Sequence, residues 1–200
     1  MLNKEIIYNQ FIFDFSNLIK EETKNKNINN VTLLCIGTSK VIGDSIGPLV
    51  GTHLKQTLNT SNKITILGDC EKNIHYGNIN EQINRINKNS SYKKTVIVID
   101  SALSSKENIG KIILQNRALK YGEGIKKKSE SIGNISIKAV IGENTNNRFI
   151  NFYKLKKASV ENVRIMADII SEGITKVMNL DVIWRKYLIV WYKYKFYNNC

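Results

Sequence analysis

Apolar and polar positions along the first half of the chain alternate between two rhythms. Residues 31–36 and 95–99 are continuous apolar runs, the pattern of strands buried on both faces. Residues 63–67 predict a further strand. Between these runs lie segments with helical spacing. Residues 4–25 set Ile7, Phe11, Phe15 and Leu18 on one face, and 79–88 do the same with Ile79, Ile83 and Ile86. Residues 46–58 form another helix. Pro48, the only proline, suits its first turn, where a missing N–H costs nothing. Asp44 or Ser45 is the expected N-cap there, and Asn78 the cap of the helix at 79–88. The order α-β-α-β-α-β calls for parallel strands joined by right-handed crossovers.

Beyond residue 100 the rhythm changes. Residues 110–119 and 134–141 predict two strands, one of them antiparallel to the rest, on either side of a basic, glycine-containing loop at 120–133. A helical turn follows at 148–155. A longer helix at 159–178 has Val163, Met166, Ile170, Ile174 and Val177 on its apolar face. No internal repeat or linker divides the chain, so residues 1–180 are expected to form one α/β domain. Residues 181–200 interleave aromatics with lysine and predict an extension that packs loosely or frays.

Composition changes this picture little. The formal net charge of +13 favours acidic partners, nucleic acid or an anionic membrane surface. The lysines are scattered among Asn and Ile, however, and no nucleic-acid motif accompanies them. Compositional drift explains that pattern better than a dedicated surface. Cys35, Cys70 and Cys200 share no metal-type spacing; Cys35 sits mid-strand as a small core residue. The start, Met1-Leu-Asn-Lys-Glu, lacks the basic and apolar regions of a signal peptide, and a cytoplasmic location is expected.

The candidate chemistry lies at the exits of two strands. Asp44 follows the strand at 31–36, and Asp100 follows 95–99. Open α/β sheets place ligands at that carboxyl edge. Gly43, Ser45, Gly47 and Ser101 flank the two aspartates as the cleft loops. His75, in the loop at 68–77, is either a third member of the site or a loop histidine bonded to a backbone carbonyl. Asp69 and Glu71 are bystanders. Two neighbouring carboxyls share a proton, so one can act as base and the other as acid. A serine nucleophile at Ser101 or Ser104 has no partnered base in the sequence.

With these pieces in place the chain resembles the sporulation protein family usually called YyaC. That family is related to the spore germination protease and, more distantly, to hydrogenase maturation peptidases. The resemblance covers about residues 30–178. It rests on Leu34-Cys-Ile-Gly-Thr38, Gly43-Asp-Ser-Ile-Gly-Pro-Leu-Val-Gly-Thr52, Val98-Ile-Asp-Ser-Ala-Leu103, Gly133-Asn-Ile-Ser-Ile137 and Met166-Ala-Asp-Ile-Ile-Ser-Glu-Gly-Ile174. It implies a three-layer α/β/α sandwich of the phosphorylase/hydrolase-like type around a mixed, mostly parallel sheet. It also implies a role in spore formation or germination, in the cytoplasm of the sporulating cell or spore. By motif match, Asp44 and Asp100 take the places of the germination protease's catalytic pair, and Ile74-His-Tyr-Gly-Asn matches a family segment containing His75. The chain departs from the family at Ser39-Lys-Val-Ile42, where an Asp-Arg-Ser-Thr run is usual, and at Asp100-Ser-Ala-Leu-Ser104.

Three functions follow as expectations. The first is an aspartic-type peptidase acting through Asp44 and Asp100 on a peptide or protein, small acid-soluble spore proteins among them, with no cofactor. In a variant of this reading, Asp44, Asp100 and His75 gather a divalent ion. The second is a non-catalytic sporulation factor that binds a peptide or protein in the same cleft. The third is a nucleic-acid or membrane-surface binder driven by charge and the tail.

Overall fold

The computed structural model describes residues 4–23, 31–58, 64–88, 95–121 and 130–197. A five-stranded sheet lies at its centre in the order β2-β1-β3-β7-β4. It is built from β1 (Val31–Cys35), β2 (Ile64–Leu67), β3 (Thr95–Ser104), β4 (Ile112–Gln115) and β7 (Ile135–Glu143). β1 pairs in parallel with β2 and β3, β3 pairs in parallel with β7, and only β4 is antiparallel. The mixed, mostly parallel sheet expected from the sequence is therefore present, with its antiparallel strand at one edge.

Every residue of β1 is buried, as is the first half of β3, which explains their unbroken apolar runs. Side chains alternate between two cores. Leu33, Cys35, Ile97 and Ile99 face the larger one, beneath α1 (Lys4–Thr23), α2 (Ile46–Thr57) and α5 (Val160–Tyr197). Leu34, Ile36, Val96 and Val98 face a smaller one under α3 (Ile79–Lys88), which Leu119 and Ile132 help to close. Helices thus cover both faces of the sheet. On α1 the inward residues are Phe11, Phe15 and Ile19, with the Phe11 and Phe15 rings stacked 5.6 Å apart; Ile7 and Leu18 pack at the margin.

Strand order makes the site. From β1 the chain crosses by α2 to β2 on one side, then returns by α3 to β3 on the other. The two crossovers lie on opposite faces, so a crevice opens beyond the carboxyl ends of β1 and β3, the switch point of an open α/β sheet.

Several boundaries differ from the sequence reading. β3 does not stop before Asp100 but continues to Ser104, because β7 pairs with it along that length, from Asp100 opposite Lys138 to Ser104 opposite Glu143. The single strand expected at 110–119 is two. β4 joins the main sheet, whereas β5 (Leu119–Tyr121) leaves it to form a separate hairpin with β6 (Glu130–Ile132), inside the stretch expected to be loop. The turn at 148–155 is a nine-residue helix, α4 (Arg148–Lys156), capped by the Asn147 side chain on the amides of Phe149 and Ile150. α5 runs on to Tyr197 rather than ending near 178. No glycine or proline lies between 174 and 197 to stop it, so the expected break before the tail is absent from the backbone.

The loop between β1 and α2 approaches the sheet more closely than a side chain allows. Gly37 has φ +137°, and a Cβ there would lie 2.0 Å from the Asp44 carbonyl oxygen. A Cβ on Gly47 would lie 2.0 Å from the Ile36 carbonyl oxygen. Gly47 therefore serves packing of α2 against β1. Gly47→Ala is expected to destabilise the fold by about 3 kcal/mol or more, as overpacking against rigid backbone does. A thermal melt unchanged from wild type would contradict this contact.

Candidate functional site

Asp44 ends a short 3-10 turn, Ile42–Asp44, that bridges β1 and α2. Neither it nor Ser45 caps α2 through its side chain as the sequence suggested: Ser45 Oγ donates instead to the Ile42 carbonyl at 2.7 Å. That leaves the Asp44 carboxyl free for the crevice. One of its oxygens accepts the Thr38 N–H at 3.0 Å, and the other lies 3.4 Å from Ser101 Oγ. Ile46, Gly47 and Pro48, which open α2, are buried, so the amide reaching Asp44 is that of Thr38 rather than one from the helix start.

Asp100 and Ser101 are successive residues of β3 and so face opposite sides of the strand. Ser101 supplies the hydrogen bond to Asp44; Asp100 acts on it through charge. Burial pushes the Asp100 carboxyl up, and the nearby Asp44 charge pushes it further, to about 8, against the Ser101 amide and the Lys138 ammonium, which draw it down. Lys138 is its register partner on β7. Asp44 is also raised, mainly by burial, with the Thr38 amide, Ser101 hydroxyl and His75 opposing. Both carboxyls are raised, and the Asp44 charge contributes to the rise of Asp100.

His75 stands in the loop after β2 and acts on Asp44 through space. Among the described residues its ring does not bond a backbone carbonyl, the alternative the sequence left open; Nδ1 accepts the Gly77 N–H at 3.1 Å. Asn78, expected to cap α3, instead turns back into this loop, accepting from the His75 N–H and donating to the Asn73 carbonyl. Asp69 is structural. Burial raises its carboxyl, but the Lys55 ammonium and the Lys72 and Glu71 amides outweigh that and hold it below the usual range.

Asn73 was invisible to sequence reasoning. Its side-chain oxygen accepts from Thr38 Oγ1, the Ser39 N–H and Ser39 Oγ, and its amide donates to the Asp69 carbonyl. It thereby ties the loop after β2 to the loop carrying Asp44. No motif marks such a residue, because its partners lie 34 and 35 positions away. Lys138 was missed for the same reason, its partner Asp100 lying on another strand; Thr38 was missed because it acts through its backbone N–H, which no residue type marks.

A cavity of about 560 Å³ opens beside the pair. It shares Thr38 and His75 with the site, and Lys40, Lys55, Lys72, Glu71 and Asn73 also line it. Asp44 and Asp100 are not in its wall; Asp44 is linked to it through the Thr38 N–H. A second cavity, about 480 Å³, lies between α2 and α5, where His53 Nδ1 is 3.5 Å from Asp168 and 3.4 Å from Ser171 Oγ. Ser171 donates back to the Ala167 carbonyl of its own helix at 2.9 Å, so this trio is not a nucleophile and its base.

Among the described residues no group of three His, Cys, Asp or Glu side chains is placed to share a metal ion. Cys35 is a core thiol, pushed up to about 12 by burial, and is not a nucleophile. Cys200 lies outside the described residues. No described helix is long and apolar enough to cross a membrane.

Comparison with known proteins agrees with the motifs. Residues 4–173 match the family described as "Protein of unknown function (DUF1256)". The "Uncharacterized protein YyaC" of Bacillus subtilis (strain 168) is 29% identical over 145 residues, covering 72% of this chain and 68% of that protein. The resemblance read from the sequence is borne out. Among solved structures, the [NiFe] hydrogenase maturation protease HycI from Thermococcus kodakarensis KOD1 superposes with a TM-score of 0.55 at 16% identity, over 81% of this chain and 99% of that one. The maturation protease HybD from the same organism gives 0.43 at 16% identity, over 74% and 98%. The fold is of the HycI kind.

The buried pair has a consequence for stability. Asp100 binds its proton more tightly folded than unfolded, so its contribution to stability is complete below about pH 4 and is lost as pH rises through about 8. Removal of the titrating group by Asp100→Asn should flatten the fall in melting temperature between pH 5 and 9. Parallel melting curves for wild type and variant across that range would contradict the pairing.

Proposed function

The chain belongs to the DUF1256 family, and from that premise we propose that it hydrolyses peptide bonds with Asp44 and Asp100 as a proton-sharing pair. One observation carries the reading: burial, with the Asp44 charge adding to it, lifts Asp100 to about 8, which favours its protonated form at neutral pH, while Asp44 is held in two hydrogen bonds. Asp44 is the base. The Thr38 amide and Ser101 hydroxyl favour its anion, ready to take a proton from water as the water oxygen bonds to the peptide carbonyl carbon. Asp100 is the acid; its proton goes to the leaving nitrogen as the C–N bond breaks. The proton now on Asp44 returns to Asp100 and restores the pair. The fold is one the chain shares with a [NiFe] hydrogenase maturation protease. The family resemblance carried by the sequence motifs gives this reading its setting in sporulation, with small acid-soluble spore proteins as candidate substrates.

A second reading is a factor that binds a peptide in the same crevice without cleaving it. The loop at 39–42 favours it: the family's polar run is replaced, and Ile42 stands exposed there. Tight peptide binding by folded protein without turnover is its signature.

The test is hydrolysis of small acid-soluble spore proteins and of general peptides. Asp44→Asn and Asp100→Asn should each lower kcat by about a hundredfold or more. The rate should also fall as pH rises past about 8, where Asp100 loses its proton. Activity retained in both variants would overturn the assignment.

A further inference from the structure

We infer that α4 is a membrane-docking helix, built to lie on an anionic lipid surface. Its inward face is Asn151, Lys154 and Leu155, with Ala158 just beyond; the opposite face is left uncovered. Phe149 is 72% exposed, Tyr153 61% and Phe152 50%. These three recur at helical spacing on one side of two turns. Scattered exposed apolar residues need no account, but three aromatics gathered on one short helix face do.

The charge around them says what covers the face. Residues 144–160 contain Arg148, Lys154, Lys156 and Lys157 and no acidic residue. Lys154 is engaged with Glu143 at 3.2 Å, whereas Arg148, Lys156 and Lys157 are exposed. The Arg148 guanidinium and the Lys156 ammonium each sit 5.0 Å from the centre of an aromatic ring, Phe149 and Phe152 respectively. Rings that protrude with cations held beside them suit an interface where aromatics enter the acyl boundary and cations stay at lipid phosphates. A peptide would ask for a concave site. α4 lines neither the 560 Å³ nor the 480 Å³ cavity.

Docking would also orient the site. α4 packs on the turn that carries Asp44, with the Leu155 backbone against Gly43. The crevice then opens at the membrane edge. This surface is separate from the basic-aromatic stretch at 181–200, and it does not depend on the peptidase reading.

The test is cosedimentation of the full chain with vesicles. Wild type should pellet with phosphatidylglycerol/phosphatidylcholine vesicles at low salt, at least tenfold more weakly with phosphatidylcholine alone, and less as salt is raised. Two triple variants, Phe149→Ala with Phe152→Ala and Tyr153→Ala, and Arg148→Glu with Lys156→Glu and Lys157→Glu, should each lose about tenfold or more. Every substituted side chain is exposed, and thermal melts of both variants should match wild type. No binding of wild type, equal binding to both vesicle types, or binding retained in both α4 variants would overturn the proposal. So would loss of binding only on Trp184→Ala with Trp191→Ala, which would place the anchor in the tail. Concentration-dependent self-association abolished by the α4 variants would overturn it too, by making a second copy the occupant.

Discussion

Two carboxyl groups held at the switch point of a largely dry sheet are the constraint around which the rest is arranged. A single buried carboxylate is unfavourable, and two close together are worse, so the fold must supply either counter-charges or a proton. It supplies some of each. Lys138 on β7 faces Asp100 across the ladder, the Thr38 amide and Ser101 hydroxyl hold Asp44, and burial with the Asp44 charge raises Asp100 to about 8. Two aspartates at neighbouring strand ends thus have different surroundings.

The loops are built to hold that geometry. Glycine at 37 and 47 lets the Asp44 turn and the start of α2 lie directly on the end of β1. Asn73 then staples the Thr38 segment to the loop after β2, and Asp69 anchors that loop through Lys55 and two amides. These contacts are polar and local to the crevice, whereas the cores beneath are apolar. Rigidity at the site therefore rests on hydrogen bonds whose removal should disturb the pair before it unfolds the domain.

The same turn joins the crevice to the outer surface. Ile42 and Gly43 carry Asp44 on one side and meet α4 on the other, so a partner that engages α4 sits next to the chemistry. Four of the basic residues fall within residues 144–160, a stretch with no acidic residue of its own, and one of them, Lys154, pairs with Glu143. Compositional drift describes the average of the sequence; the α4 segment is a place where it does not describe the local arrangement.

Much of the fold was written in local pattern. Unbroken apolar runs at 31–36 and 95–99 announced doubly covered parallel strands, and helical spacing placed α1, α2, α3 and the first half of α5, because burial imposes a period that a single sequence displays. Asp44 and Asp100 were legible for the same reason: each follows a recognisable buried strand segment, and the motifs around them carry the family likeness. What the sequence could not state was decided by contacts distant along the chain. β3 extends through Asp100 only because β7 lies beside it, the strand expected at 110–119 breaks after Gln115 and Leu119 pairs with Ile132 of β6 instead, and the Ser45 and Asn78 side chains bond loop partners. The raised pKa of Asp100 belongs to this second class. It depends on burial and on the charge of a side chain 56 residues away, and both are set by packing rather than by the residue's neighbours in sequence.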